Sequence, residues 1–445
     1  MKTFQHIKTR LVAALLALVC ATAASAQMLD TAKLDLLFDR LLARNKGMGG
    51  LTVARDGRVI YSRSFGSRQI HDTQRQPLDA DTKYRIASIT KMYTAVMIFQ
   101  LVEEGRLKLT DTLDTFVRQI PNASRITIAQ LLQHRSGIPD IEPDGTFGRQ
   151  PRTHDEIVAR IAQGKPNFEP DTQHAYANTG YIVLGFIVET LDGKSYRDAL
   201  RDRITSTLGL RNTYAGTGNT DASRNEALSY RYIGGWREAE ELDFSVVAGA
   251  GGIVSTTADM AAFIQGLFDL KLISKESLTQ MQTMRDGEGM GLEPHPFAGK
   301  TCYGHTGGSG SSGAWLTYCP EERLSLAYAT NAKIYPVRNI VNGVFDVYWN
   351  RPFEVPALDA FNVSPDVLDR YVGVYVIAGT PARMVVVRDG GTLFIQPRGQ
   401  TGVPLEAMAE NKFRLDPMPE FEFDAEKGLM TITRGKEQRV FTKEK

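Results

Sequence analysis

Only three cysteines occur in the 445 residues, Cys20, Cys302 and Cys319, too few for a disulfide framework and without the spacing of a metal site. There is no His-Glu-x-x-His segment either, so no metal is expected. A G-x-S-x-G elbow is also missing, which weighs against an α/β-hydrolase. Gly308, Gly310 and Gly313 do spell G-x-G-x-x-G, but a dinucleotide site needs that motif to open a helix. Here Trp315 and Tyr318 continue as a strand, and no cofactor is expected. Charge of one sign is lacking as well. With 52 Lys+Arg against 51 Asp+Glu, the formal net charge of +1 leaves no footprint for nucleic acid and no acidic tail.

Long apolar runs are few. Lys2, Lys8 and Arg10 precede one from Leu11 to Val19, followed by Ala24-Ser25-Ala26, the form of a cleavage site. This predicts a secretory signal over residues 1–26 and a periplasmic or secreted protein. The run is too short to span a bilayer, so no stable membrane insertion is expected once the signal is removed. A lipid on Cys20 is the alternative, opposed by Ala17 where lipoprotein signals usually carry leucine. After cleavage only Cys302 and Cys319 remain, an even pair that favours a disulfide in an exported protein.

The length suggests two or three domains. Leu34, Leu37, Phe38, Leu41 and Leu42 share one helical face, and Asp56-Gly57 suits the tight turn of a hairpin. Ser67 to Asp81 reads as an exposed polar loop, and Thr127 with Gln130 as a capping box. Asp140 to Pro170 reads as a long surface loop of the kind that borders sites. Leu184, Ile187, Val188 and Leu191 mark another helix; Gly249 to Thr256 reads as a glycine-rich turn before a helix from Asp259 to Leu267. From Thr301 to Cys319 a strand, a glycine-rich connection and a returning strand are expected, with Cys302 facing Cys319. Pro352, Pro356 and Pro365 mark a linker over residues 351–365. Beyond it, Arg383 to Arg388, Thr392 to Gln396, Lys412 to Leu415 and Leu429 to Thr433 read as strands of a small β domain, residues 366–445.

The chemistry-bearing stretch is Ser88-Ile89-Thr90-Lys91, at the start of an apolar helix that runs to Gly105. Residues three apart share a helix face, so the lysine amine stands near the serine hydroxyl and can take its proton. The bland alternative is a serine cap beside a solvated lysine. Tyr176 and Asn178 lie two apart on the approach to the next helix and can point into one space; a turn tyrosine and an asparagine cap are the alternative.

Together, Ser88-Ile89-Thr90-Lys91, Tyr176-Ala177-Asn178 and His305-Thr306-Gly307 resemble the three ordered motifs of the serine β-lactamase and penicillin-binding-protein superfamily, in its class C-like branch. The segments Leu131 to Ile138 and Gly252 to Thr256 are similar to stretches of that branch, so the likeness covers about residues 30 to 350. It implies an α/β (α+β) fold of the β-lactamase/transpeptidase type: an antiparallel sheet flanked by helices plus an all-helical region. The C-terminal part, opening on Tyr371-Val372-Gly373-Val374-Tyr375, resembles the small all-β, lipocalin-like barrel domain often appended to such hydrolases. The three-motif likeness also implies roles. Ser88 would form an acyl-enzyme on a small-molecule or peptide substrate, with Lys91 and Tyr176 moving protons. Asn178, His305, Thr306 and Gly308 would bind substrate, the Gly308 N–H completing an oxyanion hole with that of Ser88. The departure is His305, where β-lactamases and transpeptidases carry a lysine for the substrate carboxylate. An imidazole is mostly neutral at pH 7. That favours an exported esterase, D-amino-acid peptidase or amidase, with a class C-like β-lactamase, a D,D-peptidase of the cell wall, or a non-catalytic binding protein as alternatives.

Overall fold

A computed structural model describes residues 29–444, apart from 73, 142–146, 233–234, 359–360, 381–382, 398–402 and 416–418. The expected signal and Cys20 lie outside the described residues.

The Asp56-Gly57 turn has both residues at positive φ, +51° and +72°, as a two-residue hairpin requires. It joins strand β1 (Gly47–Arg55) to β2 (Arg58–Phe65). These pair with four later strands, β3 (Glu293–Pro294), β4 (Tyr303–Ser309), β5 (Ser312–Cys319) and β6 (Leu324–Lys333). The antiparallel order is β3-β4-β5-β6-β1-β2. Along β5 and β6 successive side chains go to opposite faces. Ala314, Leu316, Ala327 and Ala329 enter one core and Trp315, Leu324, Leu326 and Tyr328 the other. Both faces are therefore covered.

One cover is helix α1 (Thr31–Ala43), with Leu34, Leu37, Phe38 and Leu41 buried, together with the helix Val337–Tyr348. The other is the helical region built around α2 (Thr90–Glu103), α3 (Asn178–Asp192), α4 (Phe244–Gly251) and α5 (Thr257–Phe268). Helix α2 is buried from Thr90 through Phe99, which explains its nearly unbroken apolar run. Gly105, at φ +70°, ends it.

Several sequence expectations need correction. Ser67 to Asp81 is not a loop but carries a hairpin, Ser67–His71 with Gln74–Pro77; the second strand is exposed, the first half-buried, and neither shows apolar alternation. The 140–170 segment contains a helix, His154–Ala162, opened by a Thr153–Glu156 capping box and anchored by Ile157 and Ile161. The glycine-rich stretch is not a simple turn: α4 runs through Gly251, kinked at Ala248 (φ 29°, ψ −121°), and Ile253–Ser255 is a strand. Gly249 permits this, because a Cβ there would lie 2.7 Å from the Tyr181 carbonyl oxygen and 2.9 Å from Gly185 Cα on α3.

Cys302 and Cys319 are bridged, across the ends of the β4–β5 hairpin, next to the Tyr303–Tyr318 pair. After a helix, Pro365–Tyr371, nine strands form one antiparallel sheet. Its edge strands, Val403–Pro404 and Glu406–Ala407, are nearly consecutive in the chain, so the sheet curls almost into a barrel. Val386, Leu393, Phe413, Phe423, Met430 and Phe441 fill it. Lys46 pairs with Glu406, and Arg40 donates to the Val355 carbonyl at 2.6 Å.

Candidate active site

The nucleophile candidate sits in a single 3-10 turn, Ala87–Ile89, that leads into α2. Ala87 takes φ +45°, an uncommon conformation for a residue with a Cβ, and Ser88 alone of that turn is not fully buried. Strand β4 presses against this turn. A Cβ on Gly307 would come within 2.2 Å of the Ile86 carbonyl oxygen, so only glycine lets the strand approach.

Lys91 is one turn on and completely buried. Its amine donates to Ser88 Oγ at 3.0 Å, Asn178 Oδ1 at 2.8 Å and the Ala250 carbonyl at 2.9 Å. All three acceptors are neutral. Burial lowers its pKa to about 7, against the opposing pull of Asp140, Glu293 and Glu288. Desolvation, and no neighbouring positive charge, is the cause.

Asn178 is the first residue of α3, not its cap. Asp140 takes over that duty, accepting from Thr179 N at 3.0 Å and Thr179 Oγ1 at 2.9 Å, which leaves the Asn178 amide for Lys91. The kink in α4 aims the third acceptor, the Ala250 carbonyl, at the same amine.

Tyr176 closes the site. The Lys91 amine lies 4.8 Å from its ring centre, and the His134 ring stacks on it at 4.4 Å and 23°. Burial raises the phenol pKa above its usual 10, with the Ser88 hydroxyl working the other way, so the phenol stays protonated. His134 Nδ1 accepts the Ala177 N–H at 3.0 Å, fixing the turn that carries the tyrosine. His134 belongs to a segment the sequence had marked, but its stacking role carried no signal there.

His305 is buried, its ring 6.4 Å from that of Tyr176. Burial lowers its pKa to about 4, so it is neutral. Nδ1 faces the Thr306 carbonyl at 2.6 Å and Glu293 Oε1 at 3.5 Å, two acceptors, which assigns the proton to that nitrogen. Glu293 has no sequence signature. It lies on β3, and its Oε2 accepts the Thr306 N–H at 2.9 Å and faces His295 Nε2 at 3.2 Å. Burial works to raise its pKa, but these bonds and the neighbouring imidazoles bring it down to about 2.

The Thr306 N–H thus points off the edge of β4, away from β5. Backbone N–H groups alternate along a strand, so that of Gly308 points to the same edge. A cavity of ≈ 500 Å³ opens there, lined by Ser88, Tyr176, Asn178 and Gly308, by apolar Ile141, Ile182, Val246 and Val247, and by Arg149 and Glu240. Ser88, Tyr176, Asn178 and Gly308 therefore line one cavity, with Lys91 buried behind it on Ser88 and Asn178, and His305 and Thr306 beside it. Among the described residues no cluster of His, Cys, Asp and Glu could hold a metal ion, and no helix is long and apolar enough to cross a membrane.

A family model described as "Beta-lactamase" matches residues 34–343. Penicillin-binding protein 4* of Bacillus subtilis is 28% identical over 448 residues, 92% of this chain and 97% of that protein. D-alanyl-D-alanine-carboxypeptidase/endopeptidase AmpH of Escherichia coli is 25% identical, covering 73% of this chain and 91% of its own. A crystal structure of D-amino acid amidase from Ochrobactrum anthropi SV3 superposes with a TM-score of 0.65 at 26% identity, over 72% of this chain and 99% of that one.

Proposed function

The chain belongs to the β-lactamase family and is a serine hydrolase, and from that premise we propose that it is an exported enzyme that cleaves an ester, an amide or a D-amino-acid peptide bond through an acyl-enzyme at Ser88. The observation that carries this reading is the Lys91 amine, buried among neutral acceptors with a pKa of about 7 and 3.0 Å from Ser88 Oγ. In its neutral form Lys91 takes the hydroxyl proton as Oγ bonds to the substrate carbonyl carbon. Tyr176 donates its phenolic proton to the departing nitrogen or oxygen and recovers one from Lys91. The charge on the carbonyl oxygen falls to the N–H groups of Ser88 and Gly308, donors worth about 3–4 kcal/mol each in such sites. Water then attacks the acyl-enzyme by the same route in reverse.

Neutral His305 offers no counter-charge to a carboxylate, which favours esters, amides and D-amino-acid substrates over penicillins. The likeness to a D-amino acid amidase supports the same side. Residues 27–350 make up the hydrolase domain in this reading, with 366–445 an appended β domain joined by the linker 351–365. Export rests on the Lys2 to Ala26 segment and is supported by the Cys302–Cys319 bridge, which oxidising compartments maintain. N-terminal mass spectrometry of the mature protein should begin at Gln27.

A fluorophosphonate or β-lactam probe should modify Ser88, as located by peptide mass spectrometry, and Ser88→Ala should abolish the label. Folded protein that takes no label and cleaves no chromogenic ester would overturn the proposal.

A further inference from the structure

The free edge of β4 offers its outward backbone donors in sequence, first Thr306 N–H and then Gly308 N–H. Two residues of strand separate them by about 7 Å. The first is already occupied. Glu293 Oε2 accepts the Thr306 N–H at 2.9 Å, while Oε1 accepts from the Thr306 hydroxyl at 3.4 Å and faces His305 Nδ1 at 3.5 Å. His295 Nε2 backs the same carboxylate at 3.2 Å, and His295 is in turn held by Thr317 Oγ1 at 2.6 Å. Glu293 is therefore fixed on the motif strand itself.

The two ends of the site then differ. From Gly308 toward Ser309 and Gly310 the edge borders the apolar cavity of Ile141, Ile182, Val246 and Val247. From Gly308 toward Thr306 it runs to Glu293, on the side where His305 approaches Tyr176. Tyr176 stands between the two, lining the cavity on one side and approaching His305 at 6.4 Å on the other; with the acyl part in the cavity, the departing group it protonates lies toward Glu293.

We propose that Glu293 sets leaving-group specificity: its fixed negative charge, seated on the Thr306 donors, excludes substrates whose departing half carries a carboxylate and admits neutral or cationic ones. The inference rests on the acyl-enzyme reading and narrows it. A carboxylate beside Thr306 would meet a like charge in place of two hydrogen-bond donors, with only a neutral imidazole next to it. Alcohols, ammonia and amines fit; the C-terminal residue of a peptide, which leaves with its carboxylate, does not.

Three aryl esters of one acyl group test this: phenyl, 3-carboxyphenyl and 3-(trimethylammonio)phenyl. Wild-type protein should rank kcat/KM as cationic at or above neutral, and neutral at least tenfold above carboxylate. Glu293→Gln should shrink the neutral-to-carboxylate ratio at least fivefold, with a far smaller change in the neutral ester. A merely structural role would lower all three alike and leave the ratios fixed, which would overturn the inference. A wild-type preference for the carboxylate ester would overturn it whether or not the variant folds. Failure of the parent reading looks different: none of the esters turns over, and Ser88 takes no fluorophosphonate.

Discussion

The body that carries Ser88 and the nine-stranded C-terminal sheet treat polar groups in opposite ways. Among the described residues, the buried polar and charged side chains run from Lys46 to Asn331 and include Lys91, His134, Asp243 and His305. None lies in the C-terminal sheet, whose core is aliphatic and aromatic with tyrosine hydroxyls as its polar atoms. A buried lysine costs stability unless something is gained from it. The body retains such groups, with Lys91, His134 and His305 gathered at the Ser88 site, while the sheet minimises them. The first is organised for chemistry and the second for packing.

Changes made on one side should leave the other untouched, and that is how the contrast can be broken. The largest effect expected is from Ser88→Ala: kcat/KM for an aryl ester should fall about 10⁴-fold or more, with both the melting temperature and the far-UV spectrum unchanged. In the sheet, Phe423→Ala removes a ring stacked at 4.9 Å on Tyr371 and set edge-on to Phe413 at 5.6 Å. It should cost about 3–5 kcal/mol in denaturant unfolding of that part, while kcat/KM of the folded protein stays within twofold. A large activity loss there would join the two regions functionally.

Smaller, and confined to the body, is the effect of pH. Lys91 must be neutral to accept a proton, so kcat/KM should fall about tenfold per unit below its pKa of about 7. Stability carries the same signature with a defined sign. Between pH 7 and the ordinary lysine value of 10.5 the unfolded chain holds a proton that the folded one has released. This group therefore adds stability as pH rises through that window, and below pH 7 its full penalty is present. Lys91→Met should abolish both the acid limb and this gain, measured by rate profiles and by melting at pH 7 and 10. Smallest is Glu406→Gln, which weakens the tie to Lys46 across the two regions. Because Lys46 is buried, a loss of up to about 3 kcal/mol is expected, with wider separation of two unfolding transitions in calorimetry.

The same contrast governs how much could be read from sequence. Strands such as Arg383–Asp389 and Leu429–Arg434 were legible within a residue or so, because a half-buried strand prints its alternation into the chain. So were the Asp56-Gly57 turn and the Thr127 capping box, which depend on neighbours in sequence. The hairpin over Ser67–Pro77 was not, since one strand is exposed throughout and the other is polar apart from Ile70, so no alternation shows. The alternative reading of Asn178 as a helix cap fails, because Asp140, distant in sequence, already fills that role. The adjacency of Ser88 and Lys91 was legible in their spacing, and the amine lies 3.0 Å from the hydroxyl. Glu293 and the Ala250 carbonyl arrive through the pairing of β3 with β4 and through a helix kink, and neither leaves a local trace.

The bridge between Cys302 and Cys319, seventeen positions apart in sequence, closes the β4–β5 hairpin into a covalent ring. A protease that nicks the exposed tip at Gly310 would therefore not divide the molecule; the two pieces would migrate as one until a reductant is added. The stitched ends hold the strand register beneath a tip whose Gly308, Ser309 and Gly310 line the cavity.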